Sequence, residues 1–431
     1  MFNKSIIVLA AGAGTRMKSD TPKVLHKISG KPMLYYSIKE ALKLSDDITV
    51  VLFHQAARVQ AEMEKYFSNI NFVIQDHANY PGTGGAVMGI TPKYEKVLVL
   101  NGDMPLIQSN ELEKFEIDAT IVMSVLELQS ADGYGRVIIE NGNVKKIVEQ
   151  KDASEQELAI STANAGIYQF ETKFLLENLP KLNNNNAQKE YYITDLIEMA
   201  MEQGKVLKPL VVNEENFKGV NSKVELADAE VIHQNRIKKE FLKAGVIMRL
   251  PDTIYIEEDV EIEGESIIEN GVSLLGNSKI VNSHIKTNSV VEDSIVVDSD
   301  VGPMGRIRPG SELNKTHIGN FVETKKAILN GVKAGHLSYL GDCSIDEGTN
   351  IGCGTITCNY DGVNKHQTII GKNVFVGSDT QFVAPVNIED DVLIGAGSTV
   401  TGNVKKGELY LTRVKAKTIA GYFYKHFSSK K

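Results

Sequence analysis

Apolar positions along the chain follow two rhythms, and the change between them falls near residue 222. Before it, short β-branched runs alternate with helical stretches. IIVLAA (6–11), ITVVLF (48–53), NFVIQ (71–75), KVLVLNGD (96–103) and ATIVMSVLEL (119–128) read as strands, with helices expected over Met33–Leu44 and Gln55–Phe67. Strand–helix alternation at this spacing predicts a mostly parallel sheet covered on both faces. The runs are apolar almost throughout, as strands buried on both faces must be. Residues 222–243, SKVELADAEVIHQNRIKKEFLK, then set Val224, Ala227, Val231, Ile237, Phe241 and Leu242 at roughly helical spacing in a charged background, and Gly245 marks the end. The pattern predicts one exposed helix of about 22 residues, roughly 33 Å long. It would form a linker over 222–245 between a domain at 1–221 and another at 246–431.

After residue 250 the period becomes six. Ile370, Val376, Phe382, Ile388, Ile394 and Val400 fall every sixth residue, as do Ile262, Ile268, Leu274 and Ile280, then Ile295, Val301, Ile307 and Leu313, and Ile345 with Ile351. Hexapeptide repeats are the signature of a parallel β-helix, in which each short strand turns its apolar residue into the coil. An antiparallel sandwich would recur every 8–12 residues instead. The rhythm breaks at 321–339 and at CNYDGVNKHQ (358–367), and an insertion in a solenoid is expected to be a loop on one face.

Composition narrows the classes. With 431 residues, 42% hydrophobic and 24% charged, the chain reads as a soluble protein of two or three domains. A net charge of −8 argues against a nucleic-acid or membrane-surface partner, which needs a basic footprint. The apolar run Ile6–Ala11 is too short for a signal peptide, and no stretch approaches a membrane span. Cys343, Cys353 and Cys358 suit neither a disulfide framework nor zinc spacing. A cytoplasmic location is the expectation.

The stretch IVLAAGAGTRM (7–17) ends a strand in two glycines, yet it fits neither G-x-x-x-x-G-K-[ST] nor G-x-G-x-x-G. Alone it reads equally as a tight turn. Gly12 and Gly14 would let backbone N–H groups approach an anion, and Arg16 and Lys23 add cations suited to a triphosphate. Asp103 closes a strand where ligands bind in open α/β sheets, with a helix cap as the lesser alternative. Glu149, and each of Arg308, Lys325 and Lys365 taken alone, reads as a surface charge. A lone histidine such as His336 is more often structural than catalytic.

The run LAAGAGTRMKSDTPKVLH resembles the signature of sugar-1-phosphate nucleotidyltransferases. Together with the hexapeptide half, the chain resembles the bacterial bifunctional family that is both N-acetylglucosamine-1-phosphate uridyltransferase and glucosamine-1-phosphate N-acetyltransferase. That resemblance spans nearly the whole chain and implies a Rossmann-like α/β domain joined by a helix to a left-handed parallel β-helix. It implies acetyl-CoA-dependent acetylation of glucosamine-1-phosphate in the C-terminal half. Uridylyl transfer from UTP, with release of pyrophosphate, would follow in the N-terminal half and supply UDP-N-acetylglucosamine for cell-wall synthesis. Leu9, Ala10, Gly12, Gln75, Gly82 and Thr83 would then hold UTP, with Arg16 and Lys23 stabilising its phosphates. Asp103 and Asn221 would hold Mg²⁺ and, with Gly135, Glu149 and Asn164, the sugar. Tyr192 and Thr194 would lie near that sugar. The family usually has an aromatic where this chain has Asn101, and a threonine where it has Ala165.

In the repeat half the same resemblance makes His336 the general base, and histidine suits this because its ordinary pKa lies near operating pH. Arg308, Glu323, Lys325, Tyr339, Asn350 and Lys365 would bind glucosamine-1-phosphate. Cys353 through its backbone N–H, with Asn359, Tyr360, Ser378, Ala396 and Arg413, would hold acetyl-CoA. The family forms homotrimers that share acetyl-transfer sites. Two other readings compete with this one. In the first, a nucleotidyltransferase carries a β-helix that serves only for oligomerisation or effector binding, which the group Arg308, Lys325, His336, Tyr339 and Lys365 disfavours. In the second, a non-catalytic scaffold binds nucleotide sugars, which Asp103 with Asn221 disfavours.

Overall fold

The computed structural model describes residues 3–12, 14–129, 131, 135–148, 150, 153–186 and 188–428. Two compact units divide the chain, one ending at His233 and the other beginning at Gln234.

The first unit is built on a twisted sheet. Across it the strands run Leu207–Val211, Ile121–Glu127, Thr162–Glu171, Lys96–Asn101, Lys4–Ala10, Ile48–Leu52 and Asn71–Ile74. All neighbours are parallel except Thr162–Glu171, which runs against both of its partners. The central strands are buried along almost their whole length, as their unbroken apolar sequences require. The expected first helix is present as Met33–Leu42 and the second as Ala56–Met63. A hairpin, Arg136–Glu140 with Asn143–Val148, joins the antiparallel strand through Ala163 and Arg136.

The long helix is Lys223–Lys243. It is less exposed than its sequence suggests. In the first unit, Glu230 accepts from the backbone N–H of Ser29 at 2.9 Å and from its hydroxyl at 3.1 Å. In the second, the buried Gln234 amide both donates to the Ile256 carbonyl (2.6 Å) and accepts from the Ile256 N–H (3.1 Å). Lys238, also buried, donates to the carbonyls of Pro251 and Ile254. Desolvation holds its ammonium below the ordinary lysine range.

The second unit is the parallel β-helix that the repeats predict. Successive coils stack in parallel register, and their interior is one apolar column in which Ile268, Leu274, Ile280, Ile285, Val291, Val296, Val301, Ile307, Leu313 and Ile318 are all but fully buried. Each such side chain contributes about 1.5–3 kcal/mol on burial. The interior steps are five as well as six residues. Ile280 pairs with Val296, Val296 with Leu313 and Leu313 with Leu329, so these coils take 16 or 17 residues. Phe382 and Val400 show the full coil of 18.

Two expectations are corrected by this spacing. Ile295 is 41% exposed and its neighbour Val296 is the interior residue, because the step from Val296 to the interior Val301 takes five residues rather than six. The break at 321–339 is not an insertion. Thr324, Leu329, Ala334 and Leu340 remain in the column, so the hexads are shortened there rather than interrupted. The second break is a true insertion. Ile345 pairs with Ile370 across 25 residues, and the excess chain turns back on itself through a bridge between Tyr360 and Lys365.

Candidate functional site

The chain leaves strand Lys4–Ala10 on one side, builds Ile48–Leu52 and Asn71–Ile74, and returns on the other side as Lys96–Asn101. Such a reversal opens a crevice beyond the C-terminal strand ends. A cavity of about 440 Å³ lies there, lined by Leu9, Ala10, Gly12, Lys23, Gln75, Gly82, Thr83 and Asp103 among others. Eight expected site residues from four segments therefore share one pocket.

Lys23 organises one end of it. Its ammonium forms an ion pair with Asp103 and donates to Asn221 Oδ1 at 3.0 Å, and Arg16 Nη2 donates to the same oxygen at 2.9 Å. The Asn221 backbone N–H is fixed on Glu225 Oε2 at 2.7 Å, and the Val220 N–H on the Asp103 carbonyl at 2.8 Å. The two glycines of the opening loop have different duties. Gly12 faces open space, where its backbone can approach a ligand. Gly14 is left-handed (φ 64°) and a Cβ on it would sit 2.6 Å from Lys23 Cβ, so glycine there lets the lysine close in.

Residues 82–87 form a short helix, Gly82–Val87, whose first turn is clamped against the segment around Tyr191. Gly82 has φ 92°, and a Cβ there would lie 2.6 Å from the Tyr191 carbonyl oxygen. The Gly84 N–H donates to Tyr191 O and the Tyr191 N–H to Pro81 O, both at 2.8 Å, while Thr83 Oγ1 accepts the Ile193 N–H at 3.1 Å. Gln75 is buried and spends its NH₂ on the carbonyls of Tyr80 (2.9 Å) and Gly82 (3.0 Å). Its side-chain carbonyl has no hydrogen-bond donor among the described residues, so it can accept from a base edge.

Gly135 and Asn164 are not among the residues lining the cavity. The Asn164 backbone N–H donates to Gly135 O at 3.2 Å, and its side-chain oxygen Oδ1 accepts the Gly166 N–H at 2.9 Å. Asn101, which does line the cavity, donates to Gly166 O at 3.1 Å and so ties that pair to the pocket. The polar replacement of the family's aromatic thus has a structural partner. Tyr192 lines a separate cavity with Asp195 and Glu198. Glu149 lies outside the described residues.

In the β-helix, Ala334 pairs with Ile351, Ile351 with Val376 and Val376 with Ile394. The residue two places after each is His336, Cys353, Ser378 or Ala396, so this register stacks four expected residues on successive coils. They line one groove of about 650 Å³ together with Asn350 and Arg413, whose guanidinium donates to Ala396 O at 3.4 Å. A second cluster sits on another face. Arg308 pairs with Glu323 at 2.6 Å, Arg308 and Lys325 are cross-strand partners, and so are Glu323 and Tyr339. Contact with Lys365, and its charge, hold the Lys325 ammonium below the ordinary lysine range, with Arg308 adding to the effect. Two lysines and an arginine brought together in this way make a site for a dianion.

Asn350 therefore belongs with His336 rather than with the lysines. Asn359 and Tyr360 do not reach the groove: the Asn359 amide donates to Asp342, and the Tyr360 hydroxyl to Gly362 O at 2.6 Å. Asp342, missed in the sequence, lies near Lys325 and anchors the insertion. Its only sequence signal is a carboxylate one coil beyond a lysine.

No group of three or more His, Cys, Asp or Glu among the described residues is placed to hold a metal. The donor set at Asp103 and Asn221 is of another kind. A carboxylate oxygen and an amide oxygen converge on one ammonium. Two hard oxygens so placed fit Mg²⁺, which takes one or two protein ligands and completes its shell with water and phosphate.

Residues 6–117 match the model of the MobA-like NTP transferase domain, and residues 367–402 that of the bacterial transferase hexapeptide (six repeats). Over its full length the chain is 92% identical to the whole of the "Bifunctional protein GlmU" of Aliarcobacter butzleri. It is 62% identical, again end to end, to the protein of that name from Wolinella succinogenes. With the one from Campylobacter jejuni subsp. jejuni it shares 54% identity across 98% of this chain and 99% of that one.

Proposed function

The chain belongs to the GlmU family of bifunctional proteins, and from that premise we propose how its two units divide the synthesis of UDP-N-acetylglucosamine. The enzyme is a transferase twice over: the β-helix unit acetylates glucosamine-1-phosphate, and the sheet unit joins the product to UMP from UTP.

In the sheet unit, Gln75 with the helix start at Gly82–Thr83 receives the base, and Gly12, Arg16 and Lys23 receive the triphosphate. A phosphate oxygen of the sugar-1-phosphate attacks the α-phosphorus in line, and the bond to the β,γ-pyrophosphate breaks. No covalent intermediate on the protein is needed. Arg16 and Lys23 hold the phosphates in line and balance the negative charge that builds on them. A magnesium ion held by Asp103 and Asn221 would supply further neutralisation of that charge.

In the β-helix unit, acetyl-CoA lies along the groove of Cys353, Ser378, Ala396 and Arg413. Arg308, Lys325 and Lys365 take the sugar phosphate. His336 accepts a proton from the 2-amino group as its nitrogen attacks the thioester carbonyl; the C–S bond then breaks and the proton passes to the departing CoA sulfur. The Cys353 backbone N–H donates to the oxyanion. The exposed apolar residues near the C-terminus, Val414 at 96% and Tyr424 at 75%, support assembly with further copies, a homotrimer by the family's pattern. Three free thiols suit the cytoplasm.

The observation that carries this reading is the stacking of His336, Cys353, Ser378 and Ala396 in one groove. The test measures thiol release from acetyl-CoA with glucosamine-1-phosphate, and pyrophosphate release from UTP with N-acetylglucosamine-1-phosphate. Both are expected. Pyrophosphate without thiol release would leave the β-helix a structural element only.

A further inference from the structure

The nucleotide cavity has a wall that the roles above leave unused. Phe53 and His77 both line it, and their rings are stacked, with centroids 4.2 Å apart and planes within 9°. Phe53 is 40% exposed although it directly follows a buried strand. His77 makes no hydrogen bond among the described residues, so its ring is held by stacking alone. A half-exposed phenyl ring stacked on an imidazole thus forms an aromatic wall of the cavity.

Their place in the sheet indicates what they meet. Asp103 follows strand Lys96–Asn101, Phe53 follows Ile48–Leu52, and Gln75 follows Asn71–Ile74, its N–H bonded to Leu52 O at 2.8 Å. Neighbouring strands lie about 4.8 Å apart, so Phe53 is about two spacings, or roughly 10 Å, along the sheet from the phosphate end. The pair stands beside Gln75, at the end where a nucleotide's base must lie if its phosphates meet Lys23.

We propose that the Phe53–His77 pair is a stacking wall for the nucleobase of the bound nucleotide. Gln75 and the helix start at Gly82–Thr83 read the edge of the base, and the ring pair supplies a face. This inference rests on the uridylyl-transfer reading. Base–aromatic stacking is worth about 1–3 kcal/mol, so the loss of one ring should weaken binding about tenfold.

The test is equilibrium binding of UTP, UMP and pyrophosphate to the full chain and to its Phe53→Ala, His77→Ala and His77→Phe variants. Both alanine variants should bind UTP and UMP about tenfold more weakly, with pyrophosphate binding unchanged and His77→Phe close to the parent. Circular dichroism melting confirms that each variant is folded. Unchanged UTP and UMP affinity in both alanine variants would overturn the proposal, as would an equal loss of pyrophosphate binding or a His77→Phe variant no better than His77→Ala. If the parent protein binds no UTP and forms no UDP-N-acetylglucosamine, the uridylyl-transfer reading itself fails. If the parent does both and the alanine variants match it, the stacking wall alone is wrong.

Discussion

The residues that meet at Lys23 come from three distant stretches of chain, at 16–23, 103 and 221, whereas those that meet at His336 come from consecutive coils. In the sheet unit, strand order does the assembling: only the reversal on either side of Lys4–Ala10 brings Asp103 opposite the opening loop. In the β-helix, register does it, and each functional residue lies directly above the last. A solenoid site is thus an addition to a repeat and can change one coil at a time. A switch-point site depends on the whole sheet.

The comparison can be broken most sharply at His336. In His336→Ala, acetyl transfer should fall by about 10²–10⁴-fold, as for loss of a general base, while pyrophosphate release stays at the parent rate. An unchanged acetyl-transfer rate would remove the histidine from the mechanism. Asp103→Asn is the reciprocal case. Uridylyl transfer should drop by about 10²-fold and need more Mg²⁺ for half-maximal rate, with thiol release unaffected. Equal loss of both activities in either variant would mean that the units are not independent.

A smaller effect sharpens the phosphate cluster. Lys325 is held below the ordinary lysine range by Lys365, so it loses its proton at lower pH than an isolated lysine. Affinity for glucosamine-1-phosphate should therefore be full below that depressed pKa and decline as pH rises through it. Lys365→Ala should raise KM about tenfold at neutral pH through the lost charge and shift the alkaline decline to higher pH. A decline at the same pH in both proteins would separate the two lysines. Smallest of all is the contrast between neighbours. Val296→Ala should cost about 2 kcal/mol and Ile295→Ala under about 0.5 kcal/mol, compared by urea midpoints of the β-helix transition.

That last pair marks where the sequence stops being legible. Period six identifies a β-helix because no other fold needs an inward residue every six, yet 16- and 17-residue coils replace one or two six-residue steps with five. A five-residue corner leaves the apolar count intact and moves the inward position by one, which is why Ile295 and Val296 exchange roles. The pocket of the sheet unit is largely legible from Gly12, Lys23, Gln75 and Asp103, since the segments after strands keep their chemistry in short runs. Long-range hydrogen bonds are not. Nothing near Asn101 in the sequence announces Gly166, and nothing near Phe53 announces His77, because the sheet alone makes them neighbours.

Gln234 has a consequence for the solubility of the β-helix. A stack of parallel coils ends in an unpaired strand edge, a template on which another chain can grow. At Ile256 that edge is met by a primary amide whose oxygen and NH₂ take the places of a peptide carbonyl and N–H. Lys238 occupies two more outward carbonyls of the same coil. At this strand the long helix thus acts as a cap that imitates the next strand without offering another to follow it.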